Sequence, residues 1–194
     1  MTGNDRITDS KPLYYRKQHT QEAKMPLIFL DTETTGLEPH LGHEIIEIAM
    51  ITRFSNGEEE VFHTKIKPQR IIAAHPKALE VNGYNEKDWE GAMKMEEAIV
   101  EISKRLQFGM IVGYNPYFDW MFIKAAMREY GIEPSWRIRC LDCMVLAYEH
   151  LRPSGLRYLS LDAVRDFLKW DKKGSHSALK DTKDCQRLWD MIIE

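Results

Sequence analysis

Two acidic side chains stand close together where the apolar part of the sequence begins. Asp31 directly follows the apolar run Leu27–Leu30, and Glu33 comes two residues later. In an extended chain, residues i and i+2 point to the same side, so the two carboxylates project together. A divalent cation relieves their repulsion, and such oxygen ligands suit Mg²⁺ or Mn²⁺. The alternative is an ordinary polar end to a strand, followed by a turn.

Two further acids fall on predicted helices. Asp119 follows the apolar run Met110–Gly113 and lies near the start of a helix, among apolar neighbours. Taken alone, it is more typical of an acid that satisfies free N–H groups in a first helical turn. Asp181 shares one helical stripe with four apolar residues, and a carboxylate on a buried stripe needs a partner. The apolar members of that stripe are Ala178, Cys185, Leu188 and Ile192.

One histidine is placed where it could serve these acids. His176 lies five residues before Asp181, after a Lys-Lys-Gly-Ser segment. A loop histidine is usually a solvated residue, but next to a buried acid it becomes a candidate general base. Four acids and one histidine are what two-metal phosphodiester hydrolysis requires, with carboxylates that hold two cations.

The motifs DxExTG, NxxFD and HxAxxD, in this order, resemble those of the DEDDh 3′→5′ exonucleases. They span residues 31–36, 115–119 and 176–181. This family has a ribonuclease H-like fold and includes the proofreading subunit of bacterial replicative polymerase, ribonuclease T and oligoribonuclease. The resemblance covers about residues 26–193, which is nearly all of the predicted core.

The resemblance implies a role for each matching residue. Asp31, Glu33, Asp119 and Asp181 would be catalytic metal ligands for two Mg²⁺ or Mn²⁺ ions per site, and His176 would be the general base. Two positions depart from the family: Tyr114 replaces a common histidine, and Val-Asn-Gly-Tyr at 81–84 lacks the histidine of the proofreaders. The residues implied in substrate binding are Thr32, Thr35, Leu37, Asn82, Asn115 and Phe118.

We therefore expect a metal-dependent 3′→5′ exonuclease that releases nucleoside 5′-monophosphates, with single-stranded DNA as the preferred substrate. Two alternatives remain open: a ribonuclease or oligoribonuclease that acts on RNA 3′ ends, and an inactive nucleic-acid-binding module of the same fold. The expected partner is a nucleic acid 3′ end, while a polymerase or a second copy of the chain is a further possibility. Because the last predicted helix reaches the end of the sequence, we expect an enzyme that acts alone rather than one tethered by a C-terminal tail.

The elements that must position these residues are predicted from periodicity. Three strands in series precede helices that alternate with two more strands, which predicts an α/β fold with a mixed sheet and helices on both faces. The resemblance implies that this is a ribonuclease H-like mixed five-stranded sheet flanked by helices. The predicted strands are 27–30, 44–52, 60–66, 110–113 and 137–141. The predicted helices are 75–82, 95–106, 118–130, 142–151, 159–168 and 177–193.

Length and charge bound the remaining possibilities. The 194 residues predict one exonuclease domain at 25–194, preceded by a polar N-terminal extension at 1–24. The net charge of −3 is unusual for a nucleic-acid-binding protein, but excluding the four proposed ligands leaves +1. Basic side chains later in the chain could attract a phosphate backbone or simply form a solvated face. They are Arg137, Arg139, Arg152, Arg157, Lys172 and Lys173.

Membrane and secreted classes are not expected. No apolar run approaches the ~18–20 residues of a membrane span, and the N-terminus lacks the apolar segment of a secretory signal. Three cysteines do not make a disulfide framework. We therefore expect a cytoplasmic protein without a membrane partner.

Overall fold

The computed structural model describes residues 25–134 and 139–193, and within them one mixed sheet. Its strands are β1 (Leu27–Thr34), β2 (Ile45–Arg53), β3 (Glu59–Lys65), β4 (Met110–Gly113) and β5 (Cys140–Asp142). They lie in the order β3-β2-β1-β4-β5. β2 is antiparallel to β1 and β3, whereas β4 is parallel to β1 and β5. The predicted mixed five-stranded sheet is confirmed.

Helices cover both faces of this sheet. They are α1 (Pro76–Val81), α2 (Met95–Leu106), α3 (Pro116–Glu129), α4 (Cys143–Leu151), α5 (Leu161–Leu168) and α6 (Ala178–Ile193). Alternation along β1 sends Ile28 and Leu30 to the face covered by α2 and α3, and Phe29 to the face covered by α4, α5 and α6. Among the described helices, none combines the length and the apolar character needed to cross a bilayer.

The first strand is longer than the sequence predicts. Its apolar run ends at Leu30, but β1 continues to Thr34 because 31–33 pair in register with 47–49 of β2. The two acids therefore lie within a strand and not after its end. A register irregularity between Glu33 and Thr34 ends the regular pairing. Polar residues that look like a turn in the sequence are extended here because a long neighbouring strand supplies their backbone partners.

Most of the other boundaries lie within two residues of the predictions, and some helices begin later than predicted because the preceding residue is a cap. Asp142 accepts a hydrogen bond from the Met144 N–H at 2.8 Å and caps α4. Ser160 caps α5 in the same way. α3 begins two residues earlier than predicted, with a proline in its first turn. The predicted extension at 1–24 and the first two residues of the predicted strand 137–141 lie outside the described residues.

Candidate active site

Three of the predicted acids converge near the C-terminal end of the central strand β1. Asp31 and Glu33 come from β1, and Asp181 comes from the first turn of α6, which packs across β1 and β2. One ligand atom from each of the three lies within 4.8 Å of the others. The Thr182 hydroxyl donates to the Ala49 carbonyl of β2 and helps to fix α6 there. We call these three acids the carboxylate cluster.

The fourth predicted acid lies beside the carboxylate cluster. Asp119, in the first turn of α3, is 2% exposed. Its Oδ1 accepts hydrogen bonds from the Thr32 backbone N–H at 2.9 Å and the Thr32 hydroxyl at 2.6 Å. It is not a member of the 4.8 Å group, but its charge raises the pKa of Asp31. The structure therefore brings all four predicted acids together near the C-terminal end of β1.

Burial and mutual repulsion make this group of acids electrostatically unfavourable without a cation. Burial, followed by the charges of Asp119, Asp181 and Glu33, raises the pKa of Asp31 well above its usual value. Burial, followed by the charges of Asp181 and Glu47, raises the pKa of Glu33 to about 8. Burial also raises the pKa of Asp119 to about 7, although the Thr32 hydrogen bonds act in the opposite direction. An all-carboxylate donor set of this kind fits a divalent cation that prefers oxygen ligands.

A buried arginine that the sequence analysis missed bonds one of the cluster acids. Arg165 of α5 is fully buried, and its Nη2 donates to Asp181 Oδ1 at 2.6 Å. Its other nitrogens donate to Asp184 Oδ2 at 2.7 Å and Asp162 Oδ1 at 2.8 Å. A signal was present in the sequence, because Arg165 occupies one position of a helical apolar stripe. The other members of that stripe are Leu161, Val164 and Leu168.

His176 lies at the edge of this arrangement. Its backbone N–H donates to Asp181 Oδ1 at 3.2 Å, and its φ of 64° is in the left-handed region. The ring is 42% exposed, and its Nε2 lies 3.3 Å from Asp162 Oδ2. The backbone of the predicted general base thus touches the carboxylate cluster, while its ring rests against an acid that the sequence analysis did not single out.

A cavity of about 550 Å³ opens next to Glu33. Leu37, Asn82 and Phe118, together with Thr32, line it as the resemblance implies. The Asn82 side-chain amide donates to the Thr34 carbonyl at 3.0 Å, which holds the end of α1 against β1. The sequence analysis missed several further lining residues: Leu41, His43, His75 and Val81.

Two residues implied in substrate binding, Thr35 and Asn115, do not line this cavity, and their role in substrate binding stays a prediction. Thr35 is fully buried, and its hydroxyl accepts a hydrogen bond from the Glu44 N–H at 2.8 Å. Asn115 is exposed, but it has a φ of 62° at the start of α3, and its N–H donates to Asp142 Oδ1 at 3.0 Å. Both residues therefore fix the path of the backbone around the site.

Most of the basic residues predicted to attract phosphate are exposed. Lys172 is already paired with Asp166 at 2.7 Å, and the guanidinium of Arg152 lies over the ring of Tyr148. The predicted Arg137 lies outside the described residues. The remaining exposed cations are Arg139, Arg157 and Lys173.

Comparison with known proteins adds evidence from relatives. Residues 28–188 match the model of the RNase T family, which is described as an exonuclease. The chain is 31% identical over 168 residues to a PolC-type DNA polymerase III of Thermotoga maritima, covering 86% of this chain and 12% of that protein. It is 30% identical over 162 residues to the DNA polymerase III subunit epsilon of Rickettsia typhi, covering 79% of this chain and 68% of that protein.

The fold is also found in solved structures. E. coli Exonuclease I in complex with a dT13 oligonucleotide matches with a TM-score of 0.73 and 19% identity, covering 87% of this chain and 41% of that chain. An Exonuclease I from Methylocaldum szegediense matches with a TM-score of 0.71 and 22% identity, covering 86% of this chain and 40% of that chain. This chain therefore spans less than half of the structural relatives and about an eighth of the PolC-type polymerase.

Proposed function

This chain belongs to the RNase T exonuclease family, and from that membership we propose that it hydrolyses nucleotides from the 3′ end of a nucleic acid strand. The observation that carries the proposal is the convergence of Asp31, Glu33 and Asp181 within 4.8 Å, beside a cavity that Glu33 lines. A group of buried acids next to a cavity is typical of a catalytic site.

The four acids are the proposed ligands for two divalent cations, Mg²⁺ or Mn²⁺. Asp31, Glu33 and Asp181 form the carboxylate cluster, and Asp119 adds a fourth carboxyl group held by Thr32. Bound ions of this kind activate water and stabilise the leaving oxygen of a phosphodiester. The raised pKa of Glu33, at about 8, supports the need for a cation, because burial and then the charges of the neighbouring acids disfavour its ionised form.

The chain's own residues orient the reacting groups. Arg165 and the His176 N–H both bond Oδ1 of Asp181, which fixes the direction of that carboxylate. We propose that the His176 ring takes the proton of the attacking water. Asp162 lies 3.3 Å from Nε2 of this ring and limits its orientation. Because the ring is 42% exposed, water and substrate have access to it.

The cavity is the proposed site of the terminal nucleotide. Leu37 and Phe118 offer apolar surface to a base, and Thr32 and Asn82 also line the cavity. Stacking on such surface contributes about 1–3 kcal/mol per base and tolerates any sequence. A duplex end has to unpair first, at a cost of a few kcal/mol. These features, and the dT13 bound by the Exonuclease I relative, support a single-stranded substrate.

The direct test is degradation of 5′-labelled single strands of DNA and of RNA, side by side, with Mg²⁺, with Mn²⁺ and with EDTA. We expect a ladder that shortens one nucleotide at a time, nucleoside 5′-monophosphate as product and no reaction in EDTA. A frayed duplex should be degraded faster than a blunt one, and a 3′-phosphate should slow the reaction. Rapid cleavage of a circular single strand would refute the proposal, because a circle has no end.

A further inference from the structure

We propose that Arg165 is a positioning residue that holds both Asp181 and His176 in their working arrangement. The inference rests on the proposed function, since it concerns the same site. Its basis is a guanidinium that is fully buried between α5 and α6 and bonds three different carboxylates. None of the comparisons or motifs above assigns a role to this residue.

The three bonds define the orientation of the guanidinium. They run to Asp181 at 2.6 Å, Asp184 at 2.7 Å and Asp162 at 2.8 Å, each from a different nitrogen. A planar guanidinium presents its donors in a rigid fork, so the three acceptors are held in fixed relative directions. A lysine ammonium is a point charge on a flexible stem and does not reproduce that geometry.

Two routes lead from Arg165 to His176. In the first, Asp162 accepts from Arg165 with Oδ1, while its Oδ2 lies 3.3 Å from Nε2 of the His176 ring. In the second, Oδ1 of Asp181 accepts from both Arg165 and the His176 N–H. Ring and backbone of the same residue are therefore tied to one guanidinium.

The backbone conformation of His176 is one that needs restraint from its surroundings. A non-glycine residue with a φ of 64° is uncommon, and such a conformation persists only when its surroundings over-determine it. The two routes through Asp162 and Asp181 supply that determination. We infer that Arg165 sets the position of the proposed general base relative to the proposed metal ligand.

The third bond of Arg165 leads away from the site. Asp184 also accepts from Lys180 Nζ, at 2.6 Å to each of its oxygens, so it keeps a cation when Arg165 is replaced. Asp162 is partly exposed, whereas Asp181 is 8% exposed. Replacement of Arg165 therefore acts mainly on Asp181, because water cannot easily compensate a buried carboxylate.

A matched control exists at the other end of α6. Arg53 of β2 bonds Asp190 of α6 at 2.6 and 2.9 Å and Glu59 of β3 at 2.8 Å. Like Arg165, it ties α6 to another element through a multidentate guanidinium. If Arg165 were only such a tie, Arg165→Met and Arg53→Met would have the same consequences.

The experiment measures Mn²⁺ binding to the metal-free protein by titration, detected by electron paramagnetic resonance, together with kcat, KM and Tm. We expect Arg165→Met to weaken Mn²⁺ binding and to lower kcat by about 10–100-fold, the usual effect of losing a residue that orients a metal ligand. KM for single-stranded DNA should change far less than kcat, because Arg165 does not line the cavity. Arg53→Met should lower Tm and leave Mn²⁺ affinity and kcat unchanged.

Two further variants separate the routes. Asp162→Asn cuts the route to the His176 ring, so we expect a lower kcat with unchanged Mn²⁺ affinity. Arg165→Lys keeps the charge but loses the fork, so both defects should persist in part. If Arg165→Met does not fold, Arg165→Lys provides the test instead. Full Mn²⁺ affinity and full kcat in Arg165→Lys would overturn the inference.

The remaining outcomes are also decisive. If Arg165→Met only lowers Tm, as expected for Arg53→Met, then Arg165 is a structural tie and the inference is wrong. Tighter Mn²⁺ binding by Arg165→Met would overturn it as well, since Arg165 would then be a cation that competes for Asp181. A wild-type protein that binds no Mn²⁺ would overturn the proposed function itself, and the inference with it.

Discussion

Thr32 donates two hydrogen bonds to one carboxylate oxygen of Asp119, from its backbone N–H at 2.9 Å and from its hydroxyl at 2.6 Å. Because Thr32 stands between two members of the carboxylate cluster on β1, this pair joins α3 to the strand that carries them. Both bonds lower the pKa of Asp119, which burial nevertheless raises to about 7. One threonine thus helps to hold the fourth acid in place and favours its ionised form.

Thr32→Val removes the hydroxyl and keeps both the backbone N–H and the shape of the side chain. We expect the free energy of unfolding to fall by about 1.5–3 kcal/mol, the usual value for a hydrogen bond to a charged group. The kcat should fall as well, because Asp119 loses a donor that orients it. Urea unfolding and steady-state kinetics measure both effects. Thr32→Ser retains the hydroxyl, and equal losses in the two variants would contradict the prediction.

Asp31→Asn removes one proposed ligand charge without changing the size of the side chain. We expect kcat to fall by about 1000-fold, since a catalytic metal contributes several kcal/mol and each 1.36 kcal/mol is tenfold in rate. In EDTA the variant should unfold at higher urea than wild type, because one repelling buried charge is gone. Glu60→Gln, at an exposed position of β3, is the control and should leave activity and stability unchanged.

The stability of the metal-free protein should depend on pH through Glu33. Its pKa in the fold is about 8, above its ordinary value of 4.5, so the folded chain holds a proton that the unfolded chain releases. The stabilisation of the fold that results is complete below pH 4.5, the ordinary pKa of a glutamate. It is lost as the pH rises through the folded-state pKa of about 8. The free energy of unfolding should therefore decrease by up to about 1.4 kcal/mol per pH unit for each proton retained.

Urea unfolding in EDTA at a series of pH values measures this slope. Glu33→Gln cannot ionise and should have a shallower slope than wild type over the same range. Addition of Mg²⁺ at the alkaline end of the pH series should raise the free energy of unfolding of wild type and not that of Glu33→Gln. Identical slopes for the two proteins would show that Glu33 does not retain a proton in the metal-free fold.

His176→Asn removes the imidazole while keeping a residue that tolerates a positive φ. We expect the rate to fall by about 10²–10⁴-fold, the usual contribution of a general base. Mn²⁺ binding should be nearly unchanged, because the backbone N–H that contacts Asp181 is retained. His176→Ala adds backbone strain and should be less stable than His176→Asn. Near-normal turnover in both variants would show that His176 is a solvated loop residue and not the general base.

Phe118→Leu shortens the apolar surface that lines the cavity. The ring of Phe118 lies 5.1 Å from that of Phe122, so leucine retains part of the core packing that alanine would lose. We expect kcat/KM for single-stranded DNA to fall roughly fivefold or more, since stacking contributes about 1–3 kcal/mol per base. Phe108→Leu, at an exposed residue before β4, is the matched control. An equal effect of the two substitutions would argue against a base-binding role for Phe118.

Two acids of the site could be predicted because each breaks a local rule of sequence. Asp31 follows an apolar run, and Asp181 interrupts an apolar stripe on a helix. Arg165 breaks the same rule on α5, but an arginine on a helix is usually taken for a surface residue whose stem covers apolar atoms. Its partners Asp162 and Asp184 become visible only when α5 and α6 are packed together.

The end of β1 and the role of Thr35 could not be read from the sequence for a related reason. Local propensity places a turn after Leu30, while the extended backbone of 31–34 depends on pairing with β2. The Thr35 hydroxyl, which the resemblance places in the nucleotide pocket, accepts a hydrogen bond from the Glu44 N–H. In both cases the deciding contact is made by a later part of the chain: β2 for the backbone of 31–34, and Glu44 for the Thr35 hydroxyl.

The position of Asp181 on the last described helix has a consequence for the protein during its synthesis. Asp31 and Glu33 leave the ribosome early, whereas α6 emerges late and must then dock on β1. Long-range contacts of this kind form slowly, and a domain generally folds as a unit. The carboxylate cluster is therefore complete only after nearly the whole domain has been translated. A nascent chain that has not yet formed α6 therefore lacks Asp181 in place and has an incomplete carboxylate cluster.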